Sequence, residues 1–453
     1  MTHLGIRLNR AALLGALVAT AAPAISARGQ SRSTFDRALE LASFDTAWTR
    51  VRDNYYDAGL RGLNWQALRD SLRPLVERGD SRDDTRAAIS TLLSRLGESH
   101  FGVLPGDAMD AGAAAANDRA GDAGLEVRFL DSALVVTRIE PGAPGLALGI
   151  RPGWVIEEID TVRVRDVLRA TLQVPEPNRR FALVRLTLNL NGRLTGPAGG
   201  TLRIVARDGA DRRRELALPL RETPGQVITY GALPPLHVQF ESKRLTSHAG
   251  CVGVIRFNIF MTPVMPQFQD AMGTMGDCRG VVLDLRGNVG GVGAMIMGMS
   301  GHFFTEPETL GTMRLREATM RYVANPIRVS RDGQPMRPFA GRVAILVDEL
   351  SASTTEILAA ALQRLGRARV FGGPSAGQAL PAVVTTLPNG DRLMYVIGDF
   401  AGPGGARLEG TGVSPDVATP LSRRALLQGR DDALDAALLW INGANTAHPY
   451  QSR

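Results

Sequence analysis

Residues 343–365 read VAILVDELSASTTEILAAALQRL: five apolar residues, a polar corner, then apolar positions recurring with helical spacing. The aliphatic run Val343–Val347 has the length and residue types of a buried strand. The corner from Asp348 to Thr355 carries two acids and several hydroxyls, and the pattern predicts a sharp turn into a helix over Ser353–Leu365. The bland reading of that corner is a capping box, with Ser353 accepting from the backbone three residues on and Glu356 reaching back. The sharper reading is a hydroxyl exposed beside a helix N-terminus, where free N–H groups and the helix dipole stabilise a developing negative charge.

The same alternation surrounds this unit. Strand-like Val252–Phe257, Val281–Leu285 and Arg369–Gly372 are separated by helix-like Pro263–Met275 and Gly293–Phe304. Strands alternating with helices imply an α/β domain on a largely parallel sheet, which we place at 228–445. Sites in such sheets gather at the carboxyl ends of strands, where the Asp348–Thr355 corner falls.

Upstream the periods change. Leu41, Phe44, Trp48, Val51 and Tyr55 recur three or four residues apart, as do Trp65, Leu68, Leu72 and Leu75, so 31–110 is expected to be helical. A linker rich in Ala, Gly and Asp follows over Ala111–Asp122. Short strand-like runs at Leu134–Val136 and Val155–Ile159 then flank two Pro/Gly turns, Pro141–Gly145 and Gly149–Gly153. Gly124-Leu125-Glu126-Val127 and the run from Glu140 to Asp160 resemble a PDZ domain. We assign it to 120–222, with an apparent insertion from Arg165 to Gly199 and a closing hairpin around Asp208–Gly209. The resemblance implies that Gly124, Leu125, Glu126 and Val127 form a peptide-binding loop, where the acidic Glu126 departs from the usual small residue. The overall expectation is a multidomain α/β chain: a helical N-terminal segment, a β-rich PDZ-like domain and an α/β core.

Composition excludes several classes. The 453 residues carry a formal net charge of +7, but Lys243 is the only lysine among 52 basic residues and the arginines are scattered. Aromatic residues make up 5%, and there is no basic stripe with interleaved aromatics, so no nucleic-acid partner is expected. Arg7 and Arg10 precede the apolar run Ala11–Ala22, and Ala22-Pro23-Ala24 offers small residues for cleavage: a signal-peptide plan over 1–24. The run is too short to span a bilayer comfortably, and no later stretch would anchor the chain in a membrane. The expected location is outside the cytoplasm, periplasmic or secreted. Cys251 and Cys278 each precede a strand-like run; a bridge between neighbouring strand starts and two buried thiols are both compatible with the sequence.

Three motifs in order bring the core into focus. Asp284-Leu285-Arg286-Gly287-Asn288-Val289-Gly290-Gly291, the corner around Ser353, and Glu409-Gly410-Thr411-Gly412-Val413-Ser414-Pro415-Asp416 resemble the signatures of carboxy-terminal processing and tricorn core proteases. The resemblance implies a serine peptidase with Ser353 as nucleophile and an oxyanion hole from the Thr354 N–H and one of Gly290 or Gly291. It also implies protein or peptide substrates. The best-known branch places a lysine base where this chain has Gln378, and a neutral amide takes no proton near pH 7. Lys243 lies in a polar run read as an exposed connection. His237, His248, His302 and His448 fall in no motif. His100, after Ser99, resembles the catalytic histidine of the tricorn-like branch, and Glu409 takes the place of its glutamate. The implied triad is therefore Ser353, His100 and Glu409, with Ser99 assisting.

No His, Cys or Asp cluster has metal-ligand spacing, so no metal or other cofactor is expected. A homo-oligomer is compatible with the sequence. The rival reading is a family member without catalytic activity that binds peptides or lipids at the envelope.

Overall fold

The computed structural model describes residues 35–107, 119–176, 178–247 and 250–443. The expected signal peptide, His248 and His448 lie outside them. Helix α1 (Arg37–Asn54) starts at Asp36, whose side chain accepts from the N–H groups of Ala38 and Leu39. It buries Phe44, Ala47, Trp48 and Val51 against α2 (Trp65–Arg78) and α3 (Arg82–Ser94). The cluster also takes in Leu380, Leu387, Leu393 and Tyr395, nearly 300 positions on in sequence. They lie in or just before a hairpin of Ala382–Thr386 and Arg392–Val396, to which Gly102–Leu104 adds a third antiparallel strand with Gly102 opposite Met394. Arg86 seals the contact with a two-pronged bond to the fully buried Asp391, at 2.9 and 2.8 Å.

An antiparallel sheet comes next: β1 (Leu125–Leu130), β2 (Ala133–Ile139), β3 (Val155–Ile159), β4 (Thr201–Arg207) and β5 (Arg213–Pro219), paired in chain order. The described residues of 165–199, read from the sequence as an insertion, are ordered. They fold as a helix over Val164–Leu172 and α4 (Asn178–Gly192), and Leu190 and Leu194 join the sheet's core. Apolar side chains surround α4 instead of forming a stripe; Leu183, Leu186 and Leu188 are only half-buried. Its buried face is therefore hidden from a periodicity argument.

The central sheet runs β6 (Phe240–Ser247), β7 (Gly250–Phe257), β8 (Gly280–Asp284), β9 (Arg342–Val347), β10 (Ala368–Gly372) and β11 (Val417–Ala418). All neighbours are parallel except the β6–β7 pair. Lys243 thus sits on an edge strand, not in a connection. Both faces are covered: Val281, Leu283, Val343 and Ile345 face one core, and Val282, Ala344 and Leu346 face another under α6 (Asp432–Ile441). Each buried Val, Leu or Ile among them stabilises the fold by about 1.5–3 kcal/mol. Cys251 and Cys278 are joined in a disulfide, their Cα atoms 4.8 Å apart at the starts of β7 and β8. Helix α5 (Thr354–Arg364) leaves the carboxyl end of β9. Among the described residues no helix is long and apolar enough to cross a membrane.

Candidate active site

Ser353 occupies the corner between β9 and α5 with φ 57° and ψ −121°. A side chain rarely adopts that conformation, which costs about 1–3 kcal/mol and persists only where the surroundings enforce it. Here they do. The Ser353 N–H is gripped by the Gln378 carbonyl at 2.7 Å and by Glu356 Oε2 at 3.1 Å. The Ala352 N–H donates to the Asn288 carbonyl at 3.0 Å, and the Thr355 hydroxyl to the same carbonyl at 2.9 Å. The Thr354 hydroxyl closes on the Gly291 carbonyl at 2.8 Å. The corner is zipped along the whole Asn288–Gly291 turn. Glycine is required at 290, because a Cβ there would lie 2.7 Å from the Ser353 Cβ.

Donors for an oxyanion follow from this packing. The Gly290 N–H is engaged by Asn288 Oδ1 at 3.0 Å. The N–H groups of Gly291 and of Thr354, the latter in the first turn of α5, are left without an acceptor among the described residues.

Glu356 is fully buried and its carboxylate receives four donors. Oε1 accepts from Ser375 Oγ at 2.5 Å and Gly377 N–H at 2.7 Å; Oε2 accepts from Gln378 N–H at 2.9 Å and Ser353 N–H at 3.1 Å. Burial nonetheless pushes its pKa up to about 7. The capping-box spacing announces one of these four bonds. The other three come from a segment about twenty residues on, which no local pattern reports.

His100 arrives from the other end of the chain, positioned by the strand that pairs Gly102 with Met394. It is 2% exposed with φ 61°. Its Nδ1 lies 2.7 Å from Ser99 Oγ. Ser99 Oγ donates to Glu409 Oε2 at 2.9 Å, its N–H donates to Oε1 at 2.8 Å, and the Ala379 N–H reaches Oε2 at 3.0 Å. A carboxylate only accepts, so the Ser99 proton goes to Glu409 and the Ser99 oxygen accepts from Nδ1–H. That arrangement leaves Nε2 as the basic nitrogen, and Nε2 has no partner among the described residues. Burial holds the His100 pKa down to about 4 and raises that of Glu409.

Ser99, His100 and Glu409 thus form one relay, with Ser99 between the other two. Gln378 and Ala379 connect it to the Ser353 corner, since one binds Ser353 and the next binds Glu409. No hydrogen bond joins His100 Nε2 to Ser353. A further carboxylate that the sequence left unremarked is Glu98, which accepts from Tyr55, Tyr56, Arg61 and Arg407 at 2.5–3.0 Å and pins the turn before Ser99.

Glu126 points away from the Gly124–Val127 loop. It meets Arg138 at 2.9 Å and Arg256 at 2.7 Å, and Arg256 reaches Asp284 at 3.0 Å. Those arginines hold its carboxyl at about 2, against the upward push of burial. The main-chain edge of β1 is also taken. Asn191 of α4 accepts from the Val127 N–H at 3.0 Å and donates to the Val127 carbonyl at 2.9 Å. Cavities of about 900 and 460 Å³ lie between this sheet and the central one, lined by Arg138, Arg256 and Arg286, and Lys243 borders the larger. Neither is lined by Ser353, His100 or Glu409.

Residues 251–419 match the model of peptidase family S41, and residues 41–94 match the tricorn protease C1 domain. The chain is 24% identical over 393 residues to the chloroplastic carboxyl-terminal-processing peptidase 2 of Arabidopsis thaliana, covering 84% of this chain and 68% of that one. It is 24% identical over 385 residues to the carboxyl-terminal-processing protease of a Picosynechococcus species, covering 83% and 82%. Among solved structures, the photosystem II D1 C-terminal processing protease superposes with a TM-score of 0.55 at 23% identity, covering 87% of this chain and 98% of that one. Mature CPAF superposes with a TM-score of 0.61 at 13% identity, covering 90% and 99%.

Proposed function

Because the chain belongs to peptidase family S41 and is a serine peptidase, we propose that it is an endopeptidase working through Ser353, His100 and Glu409. The observation that carries this reading is the Glu409–Ser99–His100 relay, one residue along the chain from the carbonyl that grips Ser353. Ser353 Oγ attacks the scissile carbonyl and His100 Nε2 takes the proton, later returning it to the leaving amine. Glu409, acting through Ser99, keeps the Nδ1 proton in place and stabilises the imidazolium. The oxyanion is held by the N–H groups of Thr354 and Gly291; Gly290 is the poorer candidate because its N–H is already engaged. The missing Ser353–His100 bond describes a resting site that closes when substrate arrives.

The sheet β1–β5 with α4 serves as a PDZ-like docking unit, taking an extended peptide beside β1. Asn191 must leave Val127 for that strand to add. The basic and apolar N-terminus supports export, tested by sequencing the mature N-terminus. Fluorophosphonate labelling decides the central claim. Wild type should be labelled and turn over peptide, while Ser353→Ala and His100→Ala should do neither. Labelling of Ser353→Ala, or none of the wild type, would overturn it, the latter favouring a peptide- or lipid-binding protein.

A further inference from the structure

Asp348 follows β9 directly and begins the Ser353 corner. Its Oδ1 accepts from the Gly287 N–H at 2.8 Å and the Leu350 N–H at 3.1 Å, so one oxygen ties together the two loops that carry Gly291 and Thr354. Its Oδ2 accepts from Arg128 Nε at 2.9 Å. Arg128 belongs to β1 of the other sheet and is 3% exposed. Its Nη1 donates to the Val127 carbonyl at 3.0 Å, and its Nη2 fills the space beside Gly287, where a Cβ would lie 2.5 Å from it.

We propose that Arg128 is a positioning residue for the oxyanion donors. The guanidinium neutralises Asp348 and buttresses the Gly287 turn, so that the Gly291 and Thr354 N–H groups converge on the same point. The inference rests on the assignment of Ser353 as nucleophile. Without Arg128 the Asp348 carboxylate is a buried charge with only neutral donors. The two loops then relax to satisfy it, and displacements of about 1 Å in such donors are enough to cost 10²-fold in rate. The side chain comes from the strand proposed to dock peptide, and it shares the Val127 carbonyl with Asn191.

The test compares wild type, Arg128→Gln, Arg128→Lys and Ser353→Ala, each corrected for its folded fraction. Two quantities are read: the rate of labelling by a small fluorophosphonate, which needs no docked peptide, and kcat and KM on a peptide. Arg128→Gln should slow labelling and lower kcat together by tenfold or more, with KM within twofold. Arg128→Lys should recover part of both, since it restores the charge but not the fork. Arg128→Gln combined with Asp348→Asn should lose clearly less than the product of the two separate fold-losses, because both act on one contact; full multiplication of the two losses would count against the proposal. Labelling at the wild-type rate with impaired peptide turnover would sink the proposal and leave Arg128 a docking residue. Losses that vanish once corrected for folding would reduce it to a structural one. Should Ser353→Ala still label, the nucleophile assignment fails instead.

Discussion

At the scale of single residues, burial gives His100 a distinctive titration. Its pKa is held down to about 4, so the imidazole stays neutral well below the usual range near 6.5. The base works only when neutral, so the acid limb of the kcat/KM profile should lie near pH 4, and half-maximal activity at pH 6.5 would contradict that. Ser99→Ala cuts the relay between Glu409 and His100 and should lower kcat by about 10²-fold, in the range for a general base that loses its orienting partner. Gln378→Ala should change kcat less than tenfold, because this residue serves the site through its backbone N–H and carbonyl. The motifs around Ser353, Gly290 and Glu409 were readable in sequence because each is a local run with a fixed spacing. Arg128 and Asp348 are 220 positions apart, and nothing in either neighbourhood announces the other.

At the scale of elements, the loop after β10 and the first turn of α5 are fastened to each other by Glu356. Glu356→Gln would turn an amide N–H₂ toward a backbone N–H, whichever way it faced. It should destabilise the fold by about 1–3 kcal/mol, read from the denaturant midpoint, and slow labelling of Ser353. The strand–turn–helix plan of the core follows from β-branched runs and helical spacing. Helix α4 escaped because its leucines ring the helix, and its place is set by Asn191 on Val127, a tertiary bond. Asn191→Ala should free the β1 edge and tighten binding of an extended peptide, measured by calorimetry on the Ser353→Ala protein. Unchanged affinity would mean that the peptide lies elsewhere.

At the scale of the molecule, the disulfide and the shared N-terminal core decide how the parts hold together. Cys251 and Cys278 close a loop with a sequence separation of 27. Replacing both by serine should cost about 3–4 kcal/mol in the chain-entropy account and lower Tm accordingly. That the cysteines face each other follows from the pairing of Val252 with Gly280, which the spacing of two strand-like runs made plausible but could not decide. The core under α1–α3 is completed by Leu380, Leu387, Leu393 and Tyr395, and it sets the order of events during synthesis. A ribosome delivers Ser99 and His100 early, then the Gly291 turn, then Ser353, and Glu409 last. Until the hairpin at 382–396 has emerged, the N-terminal helices lack the far side of their core and His100 has no strand to hold it in place. A nascent chain at that stage therefore carries Ser353 and His100 without Glu409 and without the arrangement the proposed chemistry needs, and a truncated product should be inert toward its neighbours.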